Sequence, residues 1–308
     1  MASKKQVSAS GDIRIGISGW RYQGWRGKFY PAGLAQRREL EFASRQFNSI
    51  ELNGSFYSLQ RPESFATWYD ETPPGFIFSV KGSRFVTHML KLRNVETPLA
   101  NFFAQGVLRL KEKLGPILWQ FPAQFKCDPP RLESFFSILP RTHKEAAKLA
   151  SRHDERLDNR SWFRVRQDRP LRHAIEIRND TFVCEEFIGI LRRHNIGLVV
   201  ADTVEWPLLM DVTADFVYCR LHGSEQLYVS GYERDAIEVW ARRVAQWACG
   251  GEVTDGKRAS AVCGPREAAR DVYVYFDNDA KVRAPFDAME LQKRVSELQQ
   301  NSTIRDCD

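Results

Sequence analysis

The chain has 308 residues, 43% hydrophobic and 27% charged, enough for one barrel-sized domain or two small ones with a substantial core. Its 45 basic and 39 acidic residues leave a net charge of +6, too mild and mixed for a disordered or polybasic chain, and no apolar run approaches the ~18 residues of a membrane span. Six cysteines (127, 184, 219, 249, 263 and 307) are scattered without a CxxC pair, the pattern of reduced thiols, so a cytoplasmic setting without membrane contact is expected.

Residues 1–12 carry no apolar central segment and read as a flexible N-terminal arm. From Ile13 onward short β-like runs alternate with amphipathic stretches. Strands are expected at Ile13–Ile17, Ser49–Leu52, Phe76–Val80, Ile117–Phe121, within His173–Asn179, Gly197–Ala201, Phe216–Leu221 and Val272–Phe276. Helices are expected near Leu34–Phe47, from Pro62 to Asp70, over Thr97–Leu114 with a stop at Gly115-Pro116, and from Pro129-Pro130 through Leu139. Three more follow at Thr181–His194, Ala236–Ala248 and Pro285–Leu298. Eight strand-helix units in one chain predict an α/β (β/α)8 TIM barrel over residues 13–299, with 300–308 as a tail. A doubly wound sheet is the runner-up. It is disfavoured because no glycine-rich nucleotide loop follows any strand.

Two segments interrupt the repeat, about 141–172 before the fifth strand and 249–271 before the eighth. The first holds ten Lys/Arg against five Asp/Glu, with Arg141, Lys144, Lys148, Arg152, Arg156, Arg160 and Arg164 spaced by three or four. If helical, it presents a basic stripe, either a solvated face or a landing strip for the phosphates of nucleic acid.

Three strands end in polar pairs at i and i+2, which strand alternation puts on one face: Glu51 with Asn53, Glu176 with Arg178, Arg220 with His222. Buried charges at such positions need partners or a solvated mouth. The C-terminal ends of barrel strands are where such folds carry their sites.

At these positions the sequence resembles a known family. GISGWRYQGW (16–25), IELNGSFYSL (50–59), FIFSVKGS (76–83), ILWQFP (117–122), EIRN (176–179), CRLHG (219–223) and VYVYFDND (272–279) are similar, in the same order, to the YecE-like family of bacterial proteins, a family of unknown function. The resemblance implies a TIM barrel, whose shape has been likened to apurinic-site endonucleases; that likeness is one of fold alone. It also marks Trp20, Tyr22, Trp25, Glu51, Asn53, Phe56, Tyr57, Lys81, Gln120, Glu176, Arg178, Arg220, His222, Gly223 and Asn278 as motif positions.

Glu51, Glu176 and His222 are therefore the candidate acid–base groups; two well-separated carboxylates suit a hydrolase, although Glu176 could instead neutralise Lys81, Arg178 or Arg220. Those three cations are candidates for binding an anion, and Lys81 also for a Schiff base. Asn53, Gln120 and Asn278 would add hydrogen bonds, with Trp20, Tyr22 and Tyr57 as stacking faces. With few histidines and three competing cations, no metal and no cofactor is expected, although Asp202 joins Glu51, Glu176 and His222 as a conceivable ligand. The expectation is a metal-independent, hydrolase- or lyase-like enzyme acting on a polar anionic small molecule, such as a sugar or phosphate ester. A nucleic-acid-binding or processing protein and a non-catalytic ligand sensor are the alternatives. Oligomeric state is not legible.

Overall fold

The computed structural model describes residues 10–223, 230–278 and 281–305. Residues 1–9 of the expected arm, Asp279, and residues 306–308 of the expected tail lie outside the described residues. Eight parallel strands close into a barrel in sequence order, with β8 pairing back on β1. They are β1 (Ile13–Ser18), β2 (Ser49–Leu52), β3 (Ile77–Lys81), β4 (Leu114–Gln120), β5 (His173–Glu176), β6 (Gly197–Asp202), β7 (Phe216–Leu221) and β8 (Asp271–Phe276). The helices are α1 (Glu39–Gln46), α2 (Gly54–Tyr57), α3 (Pro62–Glu71), α4 (Glu96–Ala104), α5 (Pro129–Ile138), α6 (His143–Ala150), α7 (Glu185–Arg193), α8 (Arg234–Ala248) and α9 (Ala284–Arg305). The (β/α)8 expectation holds, and the doubly wound alternative is excluded by closure.

Strand alternation sorts the side chains into two cores. Outward residues such as Ile50, Phe78, Val80, Trp119, Ile175, Leu221 and Val274 pack under the helices. Inward residues form a separate cluster that includes Leu118, Ala174, Val199, Ala201, Phe216, Tyr218, Tyr273 and Tyr275. The tyrosines find partners inside: Tyr275 meets the Ser49 hydroxyl at 2.7 Å, and Tyr218 meets Ser79 at 2.7 Å. One step further toward the C-terminal end, the same alternation aims Ser18, Glu51, Lys81, Gln120, Glu176 and Arg220 into the barrel.

The helix expected over Thr97–Leu114 is broken. α4 ends at Ala104, and Gly106 takes φ 111°, where a Cβ would lie 2.6 Å from the Cα of Pro62. The turn therefore needs glycine. A 3-10 stretch follows, and Gly115-Pro116, expected as a helix stop, lies inside β4.

The basic segment 141–172 is not one helix. Thr142 caps α6 by accepting from the Glu145 amide at 3.2 Å, and Asp154 caps a single 3-10 turn over Glu155–Leu157. Its two ends meet, with the Leu171 amide bonded to the Arg141 carbonyl at 2.7 Å and His143 to Arg169 at 2.9 Å. A continuous helix of that length would have carried its far end about 45 Å away. The segment is also built into the wall: Trp162 donates its amide to Ala104, and Leu157 and Ala150 are fully buried. Segment 249–271 docks similarly, Asp211 accepting from the amides of Ala259 and Ser260. At the chain ends, Gly11 bonds to Ala248 at 2.9 Å, so residues 10–12 are tied down, and α9 continues through residues expected as tail. No helix among the described residues is long and apolar enough to cross a membrane, and the five described cysteines are free thiols.

Candidate active site at the barrel mouth

The C-terminal end of the barrel is organised around one guanidinium. Arg220, at the end of β7, is 1% exposed. Its Nε and Nη2 reach both oxygens of Glu51 at 3.1 and 3.0 Å. Its Nη1 donates to Glu176, and Nη2 also donates to Asp277 at 2.7 Å and Ser18 at 3.2 Å. Burial alone would lower the pKa of such a group. The surrounding carboxylates outweigh it and hold the guanidinium well above its ordinary pKa.

Each carboxylate is held in turn by its strand neighbours. The register sets Ser18 beside Glu51 and Gln120 beside Glu176. Ser18 donates to Glu51 at 2.5 Å, Tyr218 donates to the other Glu51 oxygen at 2.6 Å, and Asn53 donates to Ser18 at 2.9 Å. Glu176 accepts from Gln120 at 2.6 Å and from Nε of Arg178 at 2.8 Å. Burial opposes its ionisation, but Arg220 and Arg178 prevail and keep the carboxyl well below the usual range. At Asp277 burial is likewise outweighed, by Arg220 and then His222, which bring it to about 2. Its carboxylate also lies 3.3 Å from Nδ1 of His222, whose Nε2 is 4.0 Å from Glu176.

Lys81 differs from these groups. It is 7% exposed, and its ammonium makes no hydrogen bond or ion pair with a described residue. Nζ sits 4.4 Å from the centre of the Phe56 ring on α2, which the Ser55 hydroxyl fastens to the Lys81 carbonyl at 2.6 Å. Burial, and then the nearby Arg220 charge, bring its pKa down to about 8.

The structure thus brings together Glu51, Asn53, Lys81, Gln120, Glu176, Arg178, Arg220 and His222. Two expected roles change with the geometry. Glu51 and Glu176 do not flank an open volume, because the Arg220 guanidinium fills the space between them. Arg220, in turn, has each of its three nitrogens hydrogen-bonded within the protein, so its expected role in holding a ligand anion gives way to holding three carboxylates.

Other expected residues lie elsewhere. Trp20 is core, edge-on to Trp68 at 5.6 Å. Tyr22 packs on Trp25 at 4.5 Å and donates its hydroxyl to the Ser18 carbonyl. Asn278 turns to Asp287 (2.8 Å) and Ser230 (3.0 Å), tying α9 to the barrel instead of adding a hydrogen bond at the mouth. Tyr57 is on the rim, 68% exposed, perpendicular to Phe56. Asp202 belongs to the outward face of β6, where its carboxylate accepts from the Trp240 indole at 3.1 Å.

Several participants escaped the sequence reading. Ser18 and Asp277 follow from the same alternation, two residues beyond Gly16 and Tyr275. Trp206 carries the Arg178 guanidinium at 4.0 Å and meets His222 edge-on at 5.4 Å. His88 stands edge-on to Phe56 at 5.2 Å, and burial, then Lys81 and Arg178, lower it to about 4. Trp206 comes from a loop and His88 from the short helical turn Phe85–Met89 after β3, where no strand periodicity announces them.

Comparison with known proteins agrees with this architecture. The chain is 24% identical to the UPF0759 protein YecE of Escherichia coli K12 over 240 residues, 76% of this chain and 82% of that one. It is 32% identical to the UPF0759 protein YunF of Bacillus subtilis over 120 residues, covering 37% and 42%. Its fold is similar to that of a DUF72 family protein from Thermotoga maritima, with TM-score 0.69 and 22% identity over 92% of this chain and 99% of that one. A second DUF72 family protein, from Enterococcus faecalis, superposes with TM-score 0.63 at 18% identity over 92% and 95%. Residues 14–306 match the family described as protein of unknown function DUF72, and the chain belongs to that family.

Proposed function

We propose that the barrel mouth binds a small anionic molecule and acts on it by metal-independent acid–base chemistry. The observation that carries this reading is Lys81, a buried ammonium with no hydrogen bond or ion pair to a described residue, beside a cluster in which Glu51, Glu176 and Asp277 converge on the guanidinium of Arg220. A ligand anion would supply the hydrogen-bond acceptors that this ammonium lacks, and Arg178, stacked on Trp206 and paired with Glu176, adds a second positive group. His222, with Asp277 at Nδ1, is the proton-transfer group. Glu51 and Glu176 serve as fixed counter-charges. The three carboxylates converge on a guanidinium, which stands where a cation would, and that supports chemistry without a metal.

The test is turnover of phosphate esters and sugar phosphates by the full chain with EDTA present. Turnover lost in His222→Asn and Lys81→Met is expected. Binding without turnover of any compound would move the protein to the sensor reading, and turnover that needs added divalent metal would contradict the proposal.

The nucleic-acid reading keeps one supporting observation. Lys144, Lys148, Arg152, Arg160 and Arg164 are exposed, and Arg156 lies 5.7 Å from the centre of Phe85, in the loop after β3 that carries His88. The basic segment therefore approaches the mouth.

A further inference from the structure

We propose that Lys81 is a covalent site: its amino group condenses with the carbonyl of a small anionic aldehyde or ketone at the barrel mouth to form an imine. This rests on the mouth being the ligand site and names the class of ligand it takes. An ammonium is a donor of three hydrogen bonds, strongly hydrated in water, and here it has only the face of Phe56 and no hydrogen bond to a described residue. Near-complete burial of the residue, with no described acceptor for its donors, favours the neutral amine, which is the nucleophilic form. The fixed positive charge of Arg220 acts in the same direction. A residue meant only to hold an anion would be better as arginine, which keeps its charge and offers a planar fork. Placement agrees as well, since Lys81 ends β3 on the inward face, at the end of the barrel where the acid–base groups lie.

The step balances without an oxidant or a further reactant. The amine lone pair forms the C–N bond while the carbonyl π electrons move to oxygen, which takes up a proton. The C–O bond then breaks, water leaves, and a protonated imine remains; from lysine ammonium and carbonyl compound the products are iminium and one water. The positive iminium stands where the ammonium stood, beside Glu176, Glu51 and Asp277, whose charges favour it. Arg178, paired with Glu176 and stacked on Trp206, is the second cation of the mouth, toward which the carboxylate or phosphate of the ligand would point.

Sodium borohydride reduces an imine irreversibly to a secondary amine, so the test is trapping by the full chain with pyruvate and, separately, dihydroxyacetone phosphate, followed by peptide mapping. The expected result is a mass increase equal to the probe less one oxygen, located on Lys81, with at least one probe. Labelling of Lys81 at least tenfold above the surface lysines, and its loss in Lys81→Arg and in Lys81→Met, supports the proposal. Labelling spread evenly over surface lysines, or unchanged in both variants, overturns it. If either probe stabilises the wild-type chain against heat yet is not trapped, the imine is refuted while the mouth stands as a binding site.

Discussion

Replacing Arg220 by methionine keeps an unbranched apolar stem, two atoms shorter, and removes the charge on which three carboxylates converge. Glu51 and Glu176 are fully buried and Asp277 largely so, and between them they accept four hydrogen bonds from this one guanidinium. Removing one partner of a buried pair destabilises by about 3–5 kcal/mol, and here two fully buried carboxylates lose theirs together. The expected loss at pH 7 is therefore at least about 4 kcal/mol, a large part of the ~5–15 kcal/mol that holds a typical domain together. The loss carries a pH signature. In the wild type Glu176 is held well below its ordinary value, so its contribution is present above the unfolded pKa and fades as pH falls. Without Arg220, burial raises the folded-state pKa, and the variant is most stable where its carboxyls are protonated, losing stability as pH rises through that raised value. The gap between the two proteins should thus shrink from pH 7 toward pH 5. Urea unfolding followed by circular dichroism at both pH values measures it. A loss below about 1 kcal/mol, or one that is the same at both pH values, would refute the structural role assigned to Arg220.

Lys81→Met should stabilise the fold. The fall in the lysine pKa from 10.5 to about 8, at 1.36 kcal/mol per pH unit, corresponds to roughly 3 kcal/mol below pH 8, disappearing above pH 10.5 where both folded and unfolded wild type are neutral; a destabilised variant in urea melts at pH 7 would show that the ammonium is satisfied. Tyr218→Phe leaves one Glu51 oxygen and the Ser79 hydroxyl short of a partner and should lower stability by about 1–3 kcal/mol, read as a shift in urea midpoint. Asn278→Ala should lower the melting temperature by releasing Asp287 of α9 while leaving small-anion binding by titration calorimetry unchanged; weaker binding would return Asn278 to the site. Deleting 141–172 should unfold the barrel, since Arg172 pairs with Asp215 (3.1 Å) and Asp271 (2.6 Å); a cooperative thermal transition in the deletion product would show the segment to be dispensable.

Strand alternation made most of this site legible. It put Glu51, Glu176 and Arg220 on one inward face, and register then made Gln120 the neighbour of Glu176 and Ser18 that of Glu51. The same period applied one step further would have included Asp277. What alternation cannot say is which opposite charges meet across the barrel: Arg220 to Glu51 and Glu176 are chords between distant strands, fixed by closure and side-chain length. Residues in the connections after the strands carried no such guide, so Trp206 and His88 were invisible, and Trp20 and Asn278 were assigned to the mouth although packing turns one into the core and the other toward α9. In segment 141–172 the three-to-four spacing of its cations suggested one helix. The caps at Thr142 and Asp154 and the return to the barrel base decided otherwise.

The most direct measurement is a thermal-shift screen of phosphate, sugar phosphates, small keto acids and short single-stranded DNA at two salt concentrations, with wild type and Lys81→Met side by side. The account predicts that a small anion stabilises the wild type, with little dependence on salt and no effect on the variant. Stabilisation by DNA alone, fading steeply with salt as phosphate contacts release counterions and equal in both proteins, would contradict it and move the site to the basic segment.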